Sequence, residues 1–320
     1  MRYLGGRYRL ERKLGQGGMA SVWEAHDEVL DREVAVKLLT PEHTADAEAF
    51  DRARNEARYG ARFAHPNVVS VYDFGTSRRA GRGTAFLVME LVEGQPLGAV
   101  MQAGPLDWRV AGRVCAEVAA GLAAAHGHGI VHRDVKPANI VLTSSGAKIL
   151  DFGVAAPAGD PDHLPDGSLL GTPAYVAPER LDPGPASPAS DVYAVGVLLY
   201  QCLTGRLPYP ADTDEQMLRA HLHTAPTPLP AIAGLPDELA EVCAAALDKL
   251  PEARPTSVAL ALILSAAVDV PVHVPPVLRP HHPSAAPPAA TVAMAISSAR
   301  LPAGPVRGPG TPGRPASRAR

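Results

Sequence analysis

The stretch from His132 to Asn139 holds residues whose types and spacing could do chemistry. It reads His-Arg-Asp-Val-Lys-Pro-Ala-Asn, so a carboxylate able to accept a proton, two cations and an amide oxygen able to bind a metal lie within eight residues. An Asp-Phe-Gly sequence begins at Asp151, twelve residues after Asn139, across a hairpin predicted from strands at 140–142 and 148–150. The hairpin would return a second oxygen ligand to the same cleft, as a magnesium site requires.

Two features nearer the N-terminus could handle phosphate. Glycines at 15, 17 and 18 lie between two predicted strands, where backbone amides could approach a triphosphate closely, although an ordinary hairpin turn is the commoner meaning of such a cluster. Lys37 ends the apolar strand predicted at 34–37, fifteen residues after Val22, and its ammonium could hold a pair of phosphates. A lysine that merely ends a strand is the alternative, so neither feature decides the function alone.

Composition limits the class of protein. With 320 residues, of which 46% are hydrophobic, the chain can form a two-lobed domain of about 250 residues. The net charge of -3 provides no basic field, so we expect no nucleic-acid partner. Cys115, Cys202 and Cys243 are widely spaced, which indicates reduced, buried thiols in a cytoplasmic protein. The most apolar stretch, 258–268, is shorter than the roughly 20 residues of a membrane span, and the N-terminus lacks a signal-peptide core, so we expect neither a span nor secretion.

The order of predicted elements indicates an α+β fold with two lobes. Short strands around one helix dominate the first ninety residues, and Ala- and Leu-rich helices are predicted from Trp108 onward, at 111–126, 192–203, 238–250 and 257–267. A long loop rich in Pro, Gly and Asp is predicted between 159 and 188. Residues 271–320 contain 12 Pro and six Arg but no acidic residue or Lys, a composition that predicts a disordered basic tail in which nothing packs.

A further motif, Gly-Thr-Pro-Ala-Tyr-Val-Ala-Pro-Glu, runs from Gly171 to Glu179, and Arg254 stands before a Pro-Thr pair. Together, in order and spacing, these motifs resemble the signature set of protein kinases, and in particular the Hanks-type serine/threonine kinases of bacteria. The resemblance covers residues 8–268 and implies a small β-rich N-lobe at about 8–92 and a larger helical C-lobe at about 93–268. It implies transfer of the γ-phosphate of ATP to Ser or Thr hydroxyls of protein substrates, with self-association where the kinase phosphorylates itself.

The resemblance also implies where the nucleotide binds. Lys37 would contact the phosphates and pair with Glu56 on the first long helix, with Glu48 as the competing carboxylate. The residues expected to line the nucleotide site are Leu14, Gly15, Gly17, Gly18, Val22, Ala35, Lys37, Met89, Glu90, Val92 and Val141. Ala20 stands where the third glycine of the loop motif is expected, a replacement that resembles the bacterial branch of the family.

The catalytic roles follow from the same resemblance. Asp134 would orient the substrate hydroxyl, and Lys136 would touch the terminal phosphate. Asn139 and Asp151 would hold the metal ions, with magnesium expected and manganese as the alternative.

Three residues are expected to support this machinery. Arg254 would pair with Glu179 at the end of the activation segment. Asp191 would brace the catalytic loop from the start of a helix, a role that can coexist with that of an ordinary helix N-cap.

Regulation is predicted from Arg133, which directly precedes the catalytic aspartate. Such an arginine resembles those of kinases whose activation loop is ordered by a phosphate, and Ser168 is the only hydroxyl residue between Gly153 and Thr172. We therefore predict that Ser168 is a phosphorylation switch, while Thr172 is expected to bond to the catalytic aspartate and lysine. The alternative is that a carboxylate already in the loop satisfies Arg133 without phosphate, and the candidates are Asp160, Asp162 and Asp166.

Two other functions compete with an active protein kinase. A pseudokinase that only recruits partners would usually lack at least one of the groups supplied here by Lys37, Asp134, Asn139 and Asp151. A small-molecule phosphotransferase of related fold would lack the segment that ends at Glu179 and its arginine partner. The sequence therefore favours an active protein kinase.

Overall fold

The chain folds into two lobes, as predicted, and the computed structural model describes residues 2–17, 20–79, 82–152, 155–162 and 171–274. The smaller lobe contains a six-stranded antiparallel sheet with the strand order β1-β2-β3-β4-β6-β5. Its strands are β1 (Arg2–Leu4), β2 (Tyr8–Gln16), β3 (Ala20–Asp27), β4 (Arg32–Leu39), β5 (Val71–Arg79) and β6 (Arg82–Glu90). Helices α1 (Pro41–Ala45) and α2 (Ala47–Gly60) connect β4 to β5.

Strand β4 positions Lys37. Val34 and Val36 are fully buried in a cluster with Phe86 of β6, because alternate side chains of a strand face the same side of the sheet. Lys37 faces the other side, toward α2, and pairs across the sheet with Leu87 of β6. Since a slip of one residue would exchange the two faces, the burial of the valines determines the direction of the ammonium group.

The larger lobe is mainly helical. Its helices are α3 (Leu97–Met101), α4 (Trp108–Gly127), α5 (Pro188–Thr204), α6 (Asp214–His223), α7 (Asp237–Ala246) and α8 (Ser257–Val268). Its short strands form two small sheets, β10-β9-β7 and β11-β8, and are β7 (Gln95–Pro96), β8 (Ile130–Val131), β9 (Ile140–Thr143), β10 (Gly146–Ile149) and β11 (Ala156–Pro157). The antiparallel pair β9 and β10 is the predicted hairpin, with Ile140 opposite Ile149.

Helix α5 lies at the centre of this lobe. The Ser187 side chain accepts a hydrogen bond from the Ala189 amide at its N-terminus, and Gly205 ends it with a φ of 72°. The residues from Asp191 to Tyr200 are all buried, so the helix is packed on every side. Its first turn therefore presents the Asp191 carboxylate to the catalytic loop as part of a rigid support.

The helices predicted from Trp108 onward agree with the structure except for the end of one and the omission of α6, and of the short helices α1 and α3 neither was predicted. The helix predicted at 238–250 ends at Ala246, and Leu250 is extended because a residue before proline disfavours the helical conformation. Helix α6 was not predicted, since only Met217, Ala220 and His221 of its ten residues are buried and its apolar pattern is correspondingly short. No helix within the described ranges is long and apolar enough to span a membrane.

The packed chain extends beyond the predicted limits of 8 and 268. Strand β1 pairs with β2 from Arg2 onward. The expectation that nothing after 271 packs is wrong for 271–274, because Val272 and Val274 contact the helical core and His65 hydrogen-bonds to the His273 carbonyl oxygen at 2.8 Å. The rest of the predicted tail, 275–320, lies outside the described residues. The three cysteines are buried, unpaired thiols, as predicted.

Candidate active site

Asp191 holds the backbone of the catalytic loop. Its carboxylate, 1% exposed, accepts hydrogen bonds from the backbone amides of His132 and Arg133, each at 2.8 Å, and from Nε2 of His126 at 2.8 Å. Burial opposes ionisation most strongly, but the hydrogen bonds from His126 and the His132 amide, together with the charges of the two histidines, outweigh it, and the pKa of Asp191 lies below its ordinary value. Arg133 has a φ of 70°, a left-handed conformation that is unfavourable for a residue other than glycine. The three hydrogen bonds keep this loop in place.

The catalytic loop brings Asp134, Lys136, Asn139 and Thr172 together. Lys136 Nζ lies 2.7 Å from Asp134 Oδ2 and donates to Thr172 Oγ1 at 2.7 Å. The Thr172 hydroxyl donates to Asp134 Oδ1 at 2.9 Å. Asn139 Nδ2 donates to the Asp134 backbone oxygen at 2.8 Å and to Oδ2 at 3.1 Å. These contacts of Thr172 are the ones that the resemblance implied.

Lys37 joins the two lobes. Its ammonium contacts both oxygens of Glu56 at 2.8 and 2.9 Å, and both oxygens of Asp151 at 3.0 and 3.2 Å. Burial lowers the pKa of Lys37, but the two carboxylates outweigh it and raise that pKa above its ordinary value, so the side chain remains a cation. Glu56 comes from α2, so the position of this helix determines whether the ion pair can form.

Asp151 and Asn139 offer the oxygen atoms suited to a metal. The Asn139 amide nitrogen faces Asp134, so its amide oxygen is the atom that could bind a metal. The Asp151 side chain is 40% exposed. Carboxylate and amide oxygens are hard ligands of the kind that magnesium and manganese prefer, so the donor set fits such an ion. Phe152, next to Asp151, is buried and packs edge-on against His132 at a ring distance of 4.8 Å.

The residues expected around the nucleotide lie on neighbouring strands. Gly15 pairs with Val22 across the β2–β3 hairpin, and Ala35 pairs with Met89 across β4 and β6. Of the other residues expected around the nucleotide, Leu14 is 41% exposed, Val92 is half-buried and Val141 is buried in β9. The Gly17 amide donates a hydrogen bond to the Ala20 carbonyl oxygen. Gly18 lies outside the described residues.

The side chain of Glu90 is engaged by contacts within the protein. Its carboxylate contacts Lys148 Nζ at 2.8 Å and the Ser70 amide at 3.3 Å. An adenine contact at Glu90 would therefore use main-chain atoms.

Arg254 anchors the end of the activation segment. Its guanidinium makes two parallel hydrogen bonds to Glu179, at 2.7 and 2.8 Å, and further bonds to the backbone oxygens of Ala189 and Asp248 at 3.0 and 2.8 Å. The structure therefore brings together the pair expected from the sequence, and the Arg254 side chain is fully buried.

Arg133 contacts Asp162. Arg133 Nη1 lies 3.2 Å from Asp162 Oδ1, which is the kind of contact that the alternative to a phosphate switch implied. Ser168 and Asp166 lie outside the described residues, and the switch at Ser168 stays a prediction. Sequence reasoning missed Arg180, which also binds Asp162, and His126, because no motif marks either residue.

Known proteins resemble this chain over its folded part. Residues 8–265 match the family described as the protein kinase domain. The chain is 43% identical over 254 residues to the serine/threonine-protein kinase PknA of Mycobacterium tuberculosis, a match that covers 78% of this chain and 58% of PknA. It is 39% identical over 259 residues to the serine/threonine-protein kinase PksC of Streptomyces coelicolor, which covers 78% of this chain and 47% of PksC.

The chain thus spans between 47% and 58% of the length of these two relatives. Proteins of this family use ATP and a divalent metal. From the domain match and these relatives, the chain belongs to the protein kinase family, among the Hanks-type serine/threonine kinases of bacteria, as its motifs predicted.

Proposed function

We propose that the protein transfers the γ-phosphate of ATP to serine and threonine hydroxyls of other proteins. The observation that carries the proposal is the ion pair of Lys37 with Glu56 and Asp151, in a chain whose Asp134 is hydrogen-bonded to Lys136 through Thr172. Phosphoryl transfer depends on positioning and electrostatics more than on covalent chemistry, and these contacts supply both. The names of the bacterial relatives support the same activity.

Each residue has a definite task in this proposal. Asp134 accepts a hydrogen bond from the substrate hydroxyl and directs it toward the phosphate, while Lys136 and Lys37 provide positive charge at the phosphates. Asn139 and Asp151 would hold magnesium, or manganese in its place, which would supply positive charge beside the phosphates. Thr172, which donates to Asp134 and accepts from Lys136, keeps the carboxylate and the ammonium in their relative positions.

The competing functions lack support. A pseudokinase would have no use for a complete set of charged groups, and Lys37, Asp134, Asn139 and Asp151 are all present. A small-molecule phosphotransferase would not need the activation segment that Arg254 anchors. Protein substrates, the kinase itself among them, are therefore the proposed acceptors, and the three thiols support a reducing compartment such as the cytoplasm.

The test replaces Asp134 by asparagine, which keeps the shape of the side chain and removes the carboxylate. Transfer of labelled phosphate from ATP to a generic basic protein should fall at least about 100-fold, because loss of a general base typically costs that much. The melting temperature and ATP binding should stay unchanged, and Asp182→Asn, an exposed residue, is the matched control. Asp134→Asn protein that kept more than about a tenth of the wild-type rate would contradict this role.

A further inference from the structure

Asp162 lies buried between two arginines. Its side chain is 2% exposed, and that of Arg180 is 4% exposed. Arg180 Nε donates to Oδ2 at 2.6 Å and Nη2 donates to Oδ1 at 3.1 Å, so the guanidinium binds the carboxylate through two bonds. Arg133 Nη1 donates to the same Oδ1 at 3.2 Å. A carboxylate bound by two arginines has the contacts that a phosphate would otherwise make.

The surroundings of the two arginines call for an anion. Burial and the positive charge of Arg180 lower the pKa of Arg133, and the negative charge of Asp162 opposes both effects. Two buried guanidinium groups next to each other repel, and a carboxylate between them attracts both and offsets that repulsion. Asp162 supplies this charge from the chain itself.

The Asp162 contacts reach the catalytic aspartate through Arg180. Arg180 Nη1 donates to the backbone oxygen of Arg133 at 2.6 Å, and that oxygen belongs to the peptide bond leading to Asp134. Gly171, which precedes Thr172, lies close to the same oxygen, since a β-carbon added to this glycine would stand 3.1 Å from it. One arginine thus fixes the catalytic loop against the segment that carries the hydroxyl partner of Asp134.

Backbone hydrogen bonds hold Asp162 in place. The Asp162 amide donates to the Gly184 oxygen at 3.1 Å, and the Ala186 amide donates to the Asp160 oxygen at 2.8 Å. The Gly159 amide donates to the Ala186 oxygen at 3.0 Å. These backbone hydrogen bonds attach residues 159–162 to the loop before α5 independently of the Asp162 side chain. The backbone that carries the carboxylate is therefore already ordered when the carboxylate binds the arginines.

We propose that Asp162 is a positioning residue that holds the catalytic loop and the activation segment in their working arrangement through Arg133 and Arg180, so that the kinase reaches its full rate without phosphate on Ser168. The inference rests on the proposed protein kinase function. It replaces the predicted switch at Ser168 by the alternative that a carboxylate of the loop satisfies Arg133.

The test compares proteins of residues 1–320 that have been treated with phosphatase. Ser168→Ala should transfer phosphate to a generic basic protein at the wild-type rate, and treated wild-type protein should start without a lag. Asp162→Ala should lose about 10- to 100-fold in kcat, since a displacement of about 1 Å at a catalytic group costs about 100-fold. Its Kd for ATP should stay within about twofold, because Lys37 and Glu56 lie on β4 and α2, away from Asp162.

Three controls separate positioning from folding. Asp160→Ala removes an exposed carboxylate two residues away and should keep the wild-type kcat. Asp162→Glu restores the charge and should recover part of the lost kcat, whereas Asp162→Asn should not. If Asp162→Ala does not fold, the phosphatase-treated Ser168→Ala protein decides, since its full rate supports the proposal and its inactivity overturns it.

Other outcomes count against specific statements. Wild-type transfer that disappears on phosphatase treatment, or full kcat in Asp162→Ala, overturns the role of Asp162 and leaves the kinase function standing. Absence of transfer from wild-type protein, with or without phosphate, refutes the proposed function and this inference with it.

Discussion

Replacing Asp191 by asparagine tests the support of the catalytic loop. The carboxylate accepts two hydrogen bonds at Oδ2, from the His132 amide and His126 Nε2, and one at Oδ1, from the Arg133 amide. An asparagine keeps the shape but has only one acceptor oxygen. With its oxygen at the Oδ2 position, the asparagine keeps two of the three hydrogen bonds, so this orientation is favoured. Its NH2 group would then face the Arg133 amide, and two hydrogen-bond donors would meet.

The magnitude follows from these contacts. A hydrogen bond to a charged acceptor contributes about 1.5–3 kcal/mol, and a buried amide left without an acceptor costs about as much as the bond itself. We therefore expect the free energy of unfolding to fall by about 3 kcal/mol. Arg133 would no longer be held at its φ of 70°, and relaxation there would displace Asp134, the next residue. A displacement of about 1 Å predicts a loss of about 100-fold in kcat.

The assay pairs urea denaturation with steady-state kinetics. Asp191→Asn should show both losses while its Kd for ATP stays within about twofold, because the ion pair at Lys37 draws on β4 and α2. Asp182→Asn, an exposed aspartate just before α5, should change neither quantity. An unfolding free energy within about 0.5 kcal/mol of wild type, the usual range for a surface change, together with normal kcat would refute the assigned role of Asp191.

Two further predictions concern other parts of the C-lobe. Burial, with a nearby ammonium, lowers the pKa of His221 to about 4, below the ordinary 6.5 of the unfolded chain. The unfolded state therefore binds more protons between these values, and the free energy of unfolding should fall as the pH drops from 6.5 to about 4, by at most about 3 kcal/mol. His221→Gln should flatten this slope in urea titrations at several pH values and the exposed His223→Gln should not; equal slopes in all three proteins would contradict the assignment. A chain ending at Val270 should melt about 5 °C below one ending at Val274. The shorter chain loses the packing of Val272 and a hydrogen bond to the N-lobe, together worth about 2 kcal/mol. Coincident melting curves would show that 271–274 contribute nothing to stability.

Much of the catalytic apparatus was predictable because its parts are close in sequence. Asp134, Lys136 and Asn139 lie within six residues, and the hairpin that returns Asp151 to them needs only a turn between two short strands. The alternation of Val34 and Val36 with Lys37 likewise indicates which side of a strand the ammonium faces. Local spacing and local periodicity are properties that a sequence displays directly.

The edges of the domain were less predictable. Strand β1 has only three residues, too short for a period to be read, and it is ordered because β2 offers it a partner. Residues 271–274 begin with a proline in a Pro-rich region, yet His65, more than two hundred positions away, binds the backbone of His273. Composition indicates correctly that the region is poor in core residues. It carries no information about the distant surface against which 271–274 pack.

The choice of partner for a buried charge was decided by the tertiary structure alone. From the sequence, Arg133 could have met a phosphate on Ser168 or any of three aspartates. The structure brings Asp162 to it because backbone hydrogen bonds dock 159–162 against 184–186, and because Arg180, named by no motif, binds the same carboxylate. Types and spacing of residues determine which chemistry is available, whereas a charge pairs with whichever distant group the packing of loops brings within about 3 Å, and that distance is set only when the whole chain has folded.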